Sequence, residues 1–230
     1  MKLDQNIKLA VDAIVFGYQN NQLYVLLIKQ KYGLLKNKWA LPGGFVKDHE
    51  KLSQAVIREL KEETGIKVKT LEQLYTFGDD LKRDPRCRVV SVAYFGTVYP
   101  KELNILAGTD AVDVNWFAIN EQPKLAFDHK KIIQKAFERL KAKINYQPIG
   151  FDLLDPKFPF SHLENLYTTI LQKPIDRRNF RKKILSFGFL IETGQFKKLG
   201  SGRPAMLYEF KHSKYKELVK QGINFEIKFA

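Results

Sequence analysis

Residues 43–66 read Gly-Gly-Phe-Val-Lys-Asp-His-Glu-Lys-Leu-Ser-Gln-Ala-Val-Ile-Arg-Glu-Leu-Lys-Glu-Glu-Thr-Gly-Ile. Glu59, Glu62 and Glu63 stand at i, i+3 and i+4, so on a helix they share one side and form a ready site for a hard cation. Leu52, Ala55, Val56 and Leu60 make the apolar stripe of that helix, and Glu59 and Glu63 continue it. Carboxylates on a stripe that faces a core are costly unless something cationic meets them. Arg58 reaches Glu62 one turn on, but one arginine does not balance three acids, whereas a divalent metal does. Gly43-Gly44 permit a tight loop whose carbonyls can face the same ion, and Gly65 is a natural helix stop.

The stretch resembles a Nudix box, Gly-x5-Glu-x7-Arg-Glu-U-x-Glu-Glu-x-Gly-U with U an aliphatic residue. Gly44, Glu50, Arg58, Glu59, Leu60, Glu62, Glu63, Gly65 and Ile66 fill its fixed positions, and Trp39-Ala-Leu-Pro leads into it. The resemblance implies an α/β fold, a mixed-sheet α/β/α sandwich, with Mg²⁺- or Mn²⁺-dependent cleavage of a nucleoside diphosphate linked to a further group. It implies Glu59, Glu62 and Glu63 as metal ligands, with Gly43 beside them. Arg58 orients the acids, and Glu50 pairs structurally.

The 230 residues allow one domain of ordinary size plus a small one. The net charge of +14 points to an anionic partner: nucleic acid, nucleotide or membrane surface. The single cysteine, Cys87, excludes an internal disulfide and reads as a packed or half-exposed thiol. No signal peptide and no membrane-spanning run is visible, so the expectation is a cytoplasmic protein. His49, His129, His162 and His212 show no metal-ligand spacing.

Residues 8–18 and 23–29 read as two strands of a hairpin turning at Asn20-Asn21, followed by a loop to Lys38. The box helix spans 51–64. One or two strands are expected in 66–77, one in 88–98 and one in 112–117. Asp128 is expected to cap an amphipathic helix over 129–144, with Ile133, Ala136, Phe137, Leu140 and Ile144 inward. Tyr146-Gln-Pro-Ile-Gly150 breaks the pattern, so the reading gives domains of 1–147 and 148–230.

The second piece differs in character. Leu163, Leu166, Tyr167, Ile170 and Leu171 form a helical stripe ended by Pro174. Asp176 caps a second helix, with Phe180, Ile184 and Phe187 inward and Arg178, Arg181 and Lys182 outward. Gly188 closes it. Strands near 189–192 and 205–211 flank a Gly- and Lys-rich hairpin tip, 195–204. Two helices joined by a short turn and followed by a basic β-hairpin describe a winged helix-turn-helix. Residues 146–230 hold 15 Lys and Arg against 8 Asp and Glu, half of the chain's net charge in well under half its length. Arg177, Arg178, Asn179, Arg181 and Lys182 are the candidates to meet double-stranded DNA from the helix, reading base edges. Lys197, Lys198 and Arg203 are the candidates to meet phosphate from the wing.

Over nearly its whole length the chain is similar to Nudix-related transcriptional regulators of NAD or sugar metabolism. The resemblance rests on Arg83-Asp-Pro-Arg86, Val89-Val-Ser-Val-Ala-Tyr94, Leu125-Ala-Phe-Asp-His129, Asn179-Phe-Arg-Lys-Lys183 and Gly202-Arg-Pro-Ala205 with Tyr208. It implies binding of ADP-ribose or a related nucleotide in the first domain, an operator bound by the winged helix, and a homodimer. Arg83 and Arg86 are candidates to hold phosphate or ribose, and His129 to lie at the same site. Many such regulators carry a damaged box; here it is intact, so hydrolysis of ADP-ribose is expected alongside sensing. The alternatives are a Nudix hydrolase with no DNA role and a non-catalytic sensor of another ligand, such as a sugar.

Overall fold

The computed structural model describes residues 6–30, 33–68, 70–99, 113–222, 225–227 and 229. Val112, the expected start of one strand, lies outside them. The chain divides into two compact units, residues 1–17 with 24–138, and residues 18–23 with 139–230.

In the first unit the organising strand is β1 (Lys8–Gln19). Its near-continuous apolar run suits a strand covered on both faces. It is followed by β2 (Gln22–Lys29), β3 (Trp39–Ala40), β4 (Gly43–Phe45), β5 (Glu72–Phe77), β6 (Val89–Thr97) and β7 (Val114–Ala118). These form one mixed sheet along the path β3-β2-β1-β6-β5, with β4 on β1 and β7 on β2. The β1–β6 pair is parallel, from Lys8↔Val89 to Phe16↔Thr97. The β1–β4 pair is antiparallel, and its register sets Asp12 opposite Gly43 and Val11 opposite Gly44. That pairing brings the glycine pair alongside the central strand.

Helix α1 (Leu52–Thr64) covers one face of the sheet. Ala55, Val56 and Leu60, from the expected stripe, pack with Val11, Ala13, Val15, Val92 and Tyr94. The helix ends at Gly65, whose φ of 70° is left-handed and whose N–H returns to the Lys61 carbonyl. Helix α2 (His129–Tyr146) begins against the other side of β1, where its first residue faces Asp12. Ile132, Ile133 and Ala136 are buried. Between Ile66 and Phe77 a single strand, β5, forms among the described residues, with a bulge between Gln73 and Tyr75.

The second unit holds β8 (Lys157–Pro159), α3 (Phe160–Leu171), α4 (Arg177–Ser186), β9 (Leu190–Lys197), β10 (Ala205–Phe210) and α5 (His212–Lys220). Strands β8, β10 and β9 form a small antiparallel sheet in that order. The stripe of α3 is buried through Leu163, Leu166, Tyr167, Ile170 and Leu171, and Gln172 ends the helix at a φ of 56°. The Asp176 side chain accepts the Asn179 N–H and caps α4, which buries Phe180 and Ile184. The core is largely aromatic: Phe151 stacks on Phe210 at 4.0 Å between ring centres, and Tyr167 meets Phe180 at 4.7 Å. Strand β8 and helix α5 are not among the elements expected from the sequence. The first is only three residues long, and the second buries none of its residues, so neither writes a periodicity into the sequence.

Candidate functional site

Arg58 is the centre of the box. Its Nε and Nη2 donate to the two carboxylate oxygens of Glu50 at 2.7 and 2.8 Å, a two-pronged pair. Its Nη1 donates to Glu59 at 2.7 Å and to Glu62 at 3.2 Å, and its Nη2 also reaches the Phe45 carbonyl at 3.2 Å. The hydrogen bonds from Arg58 hold the Glu50 carboxyl down to about 2, against the opposing effect of burial. The same bond to Glu50 raises the Arg58 guanidinium far above its ordinary value. The expected pairing of Arg58 with Glu62 is therefore present, and the structural partner of Glu50 is Arg58, which Glu59 joins.

Glu63 is placed differently. One of its oxygens accepts the Gly43 N–H at 2.8 Å. Burial raises its carboxyl to about 8 against that hydrogen bond, and the negative charges of Glu59, Asp12 and Glu62 push the same way. Gly44 is required by its neighbour: a Cβ there would lie 2.5 Å from Glu59 Oε1. A Cβ on Gly43 would lie 2.2 Å from the Val11 carbonyl oxygen. The backbone thus runs tight against both the central strand and the acids of α1.

Among the described residues no three His, Cys, Asp or Glu side chains stand in a geometry that would hold a metal ion. Two of the three box ligands expected from the sequence are turned to Arg58 instead. The donor set is nonetheless composed of oxygen and carries an excess of negative charge, the chemistry that suits a hard divalent cation. The raised Glu63 carboxyl, due first to burial and then to the neighbouring acids, fits a cluster that a cation would relieve.

The second cluster lies across β1. Arg83 donates to both oxygens of Asp128, at 2.7 and 3.1 Å, and lies 3.6 Å from Asp12. Ser91 donates to Asp12 Oδ2, the same oxygen that Arg83 approaches. His129 is 4% exposed. Its Nδ1 accepts the Leu41 N–H at 2.8 Å and its Nε2 lies 3.5 Å from Asp12 Oδ1. Burial lowers the His129 pKa in spite of Asp12 and Asp128, so the ring is neutral with its proton on Nε2. Arg83 and His129, read from the sequence as ligand contacts, are thus spent inside the fold, and Asp128 directs its carboxylate to Arg83. Their common effect is to tie the start of α2 and the loop before β6 to the Leu41-Pro-Gly43 segment. Asp12 belongs to no motif, and the signal that marks it is a lone acid in the run Leu-Ala-Val-Asp-Ala-Ile-Val.

Arg86 is exposed. It forms a two-pronged pair with Asp84, and its guanidinium lies 5.6 and 5.2 Å from the ring centres of Phe45 and Phe127. Burial would raise the Asp84 carboxyl, but the hydrogen bonds from Arg86 outweigh it and hold it low. Arg86 is the expected ligand residue that remains within reach of solvent beside the box, since Phe45 follows Gly44 directly.

In the second unit Arg177, Arg178 and Lys182 are exposed on α4. Asn179 is exposed as well, but its side-chain amide donates to Asp176 and so serves the helix cap. Arg181 donates to the Tyr208 hydroxyl at 2.8 Å. Lys197, Lys198 and Arg203 are exposed on and beyond the ends of β9 and β10, around glycines 194 and 200, whose φ values are 71° and 136°. The expected cations therefore fall on one helix and one hairpin.

Residues 7–136 match the family described as NUDIX domain, and residues 150–210 the family described as NrtR DNA-binding winged helix domain. The chain is 35% identical over 210 residues to the ADPR responsive transcriptional repressor NtrR of Acinetobacter baylyi, covering 88% of this chain and 81% of that one. It is 46% identical over 127 residues to the ADP-ribose pyrophosphatase of Methanocaldococcus jannaschii, covering 54% of this chain and 70% of that one. The crystal structure of Shewanella oneidensis NrtR complexed with a 27mer DNA is similar at a TM-score of 0.81 and 32% identity. It covers 96% of this chain and 99% of that one.

Proposed function

The chain belongs to the Nudix family and, through its winged helix, to the NrtR regulators within it, and on that premise we propose that it is a DNA-binding regulator that responds to ADP-ribose. The observation that carries this reading is the opposite charge of two sites in one chain. The box gathers Glu50, Glu59, Glu62 and Glu63 around a single arginine, while α4 and the β9–β10 hairpin expose Arg177, Arg178, Lys182, Lys197, Lys198 and Arg203. The first suits a cation and the diphosphate that the cation carries, the second a polyanion. In this reading α4 meets base edges, the wing meets phosphate, and a homodimer in the cytoplasm sets two helices on successive half-sites.

Glu59, Glu62 and Glu63, with Gly43 beside them, would hold the divalent ion, Mg²⁺ or Mn²⁺. Such an ion supplies neutralisation of diphosphate charge and an acidified water. Arg58 bridges Glu59 and Glu62 and orients them, and Arg86 meets the nucleotide from the loop before β6.

The test is sequence-selective binding with and without ADP-ribose. A duplex selected by the wild-type chain from a random library is expected to bind in preference to a scrambled one, with an affinity that ADP-ribose shifts. Arg178→Ala with Lys182→Ala is expected to abolish the preference. A wild-type chain that prefers no duplex, or whose preference ignores ADP-ribose, overturns the reading.

The intact box favours a second activity, cleavage of ADP-ribose to AMP and ribose 5-phosphate, as the name of the archaeal relative suggests. Metal-dependent release of AMP tests it; ADP-ribose bound but never cleaved with Mg²⁺ or Mn²⁺ confines the site to sensing.

A further inference from the structure

Arg181 lies among the outward cations of α4 and is exposed like them, yet its guanidinium is folded against Phe160 and Tyr208. Its Nη2 donates to the Tyr208 hydroxyl at 2.8 Å. The guanidinium carbon lies 4.5 Å from the ring centre of Phe160 and 5.6 Å from that of Tyr208. The Tyr208 hydroxyl in turn donates to Glu192 at 3.0 Å. Tyr208 is 2% and Phe160 3% exposed, so both rings are fixed by the core and cannot follow the arginine outward. One side chain of α4 is thereby joined to the first residue of α3, to β10 and, through the phenol, to β9. These are the two helices and the two wing strands.

We propose that Arg181 is a positioning residue, with Tyr208 and Glu192 as its relay, that fixes the angle between α4 and the β9–β10 hairpin so that both present their cations to one duplex. It does not itself contact DNA. To reach a base or a phosphate it would have to give up a hydrogen bond and an aromatic stack made in the free protein. The role depends on geometry, so it should be lost when the planar fork is replaced by a point charge. It should also be lost when the phenolic oxygen is removed, a change that touches no charge.

This inference rests on the DNA-binding reading above, and the experiment separates the two. Affinity for the selected and the scrambled duplex is measured against salt concentration for wild type, Arg181→Lys, Arg181→Ala, Tyr208→Phe, the double variant of Arg181→Lys with Tyr208→Phe, and Arg178→Ala. Arg181→Lys and Tyr208→Phe are each expected to weaken the selected duplex about tenfold, about what loss of a charge-assisted hydrogen bond yields. The scrambled duplex and the slope of log affinity against log salt should stay as in wild type, and the double variant should be no worse than either single one. Arg178→Ala, by contrast, should change binding at the DNA face itself.

Tyr208→Phe binding like wild type while Arg181→Ala lowers the salt slope by about one makes Arg181 a phosphate contact and overturns the proposal. Additive losses in the double variant overturn it as well. Should Tyr208→Phe fail to fold, Glu192→Asp at the exposed end of the relay takes its place with the same expectation, since it keeps the charge and withdraws the carboxylate from the phenol. A wild-type chain that prefers no duplex removes the DNA-binding reading itself, and the proposal with it.

Discussion

Arg58 and Arg181 each tie three or more segments of their own unit together, but they leave opposite fields around them. Arg58 spends its donors on Glu50, Glu59 and Glu62, with Glu63 close by, so its charge is outweighed by acids. Arg181 spends its donor on a phenol and its faces on two rings, so its charge is not cancelled by the groups it touches directly. The first site is left short of positive charge and suits a cation; the second keeps its excess and suits DNA. The choice of partner for an arginine, carboxylate or aromatic ring, decides which ligand the surrounding surface can accept.

The largest effect should come from removing the acid that Arg58 does not hold. Glu63→Gln is expected to lower Mn²⁺ affinity, measured by calorimetry without nucleotide, by at least about 100-fold, beyond what a residue one shell out contributes. Unchanged affinity would place the ion elsewhere and break the contrast at its acidic end. The same variant should change the pH dependence of the metal-free protein. The folded carboxyl keeps its proton up to about 8, above the range of an unfolded glutamate. Its contribution to stability is therefore full below the unfolded pKa and is lost as pH rises through about 8. The loss is of the order of a few kcal/mol by the usual conversion, since relaxation and water penetration reduce it. Thermal unfolding from pH 5 to 8.5 in chelator should fall in wild type and stay flatter in Glu63→Gln; parallel curves would show that Glu63 is not the strained group.

Next in size is Gly44→Ala. Its Cβ would press on Glu59 Oε1, the far end of a flexible side chain. The expected outcome is a Tm within about 3 °C of wild type but Mn²⁺ affinity reduced roughly tenfold. A large fall in Tm would mean that the loop, not the acid, is what the glycine protects. The smallest effect belongs to the wing. Lys197→Ala should reduce the salt slope of DNA binding by about 0.9 for the phosphate it leaves and weaken selected and scrambled duplexes alike. A loss confined to the selected duplex would make Lys197 a reader of sequence.

The parts of this picture that are local in the chain were legible in the sequence. The bounds of α1, its buried stripe, the Arg58–Glu62 pair one turn apart and the Asp176 cap all follow from spacings of three and four residues. The parts that were not legible depend on register between distant segments. The Leu41 N–H to His129 bond joins residues 88 apart and the Arg83–Asp128 pair residues 45 apart. From the sequence Arg83 and His129 therefore read as free for a ligand. Arg181 is a related case: helical spacing places it outward, where it is exposed, but its bond to Tyr208, 27 residues later, is not written in that spacing. Polar residues on an amphipathic helix are assigned to solvent by periodicity, yet a long side chain can double back along the apolar surface it skirts.

The parallel register of β1 with β6 also shapes how the first unit can form. Every pair in it joins residues about 80 apart, so the strand at the centre of the sheet gains β6, one of its three partners, only after most of that unit has been made. Until then the β1–β2 hairpin carries an unpaired, strongly apolar edge, a template for pairing with another chain. Synthesis and refolding should therefore be slow to commit and sensitive to protein concentration, and fragments ending before Val89 should aggregate rather than persist as a smaller fold.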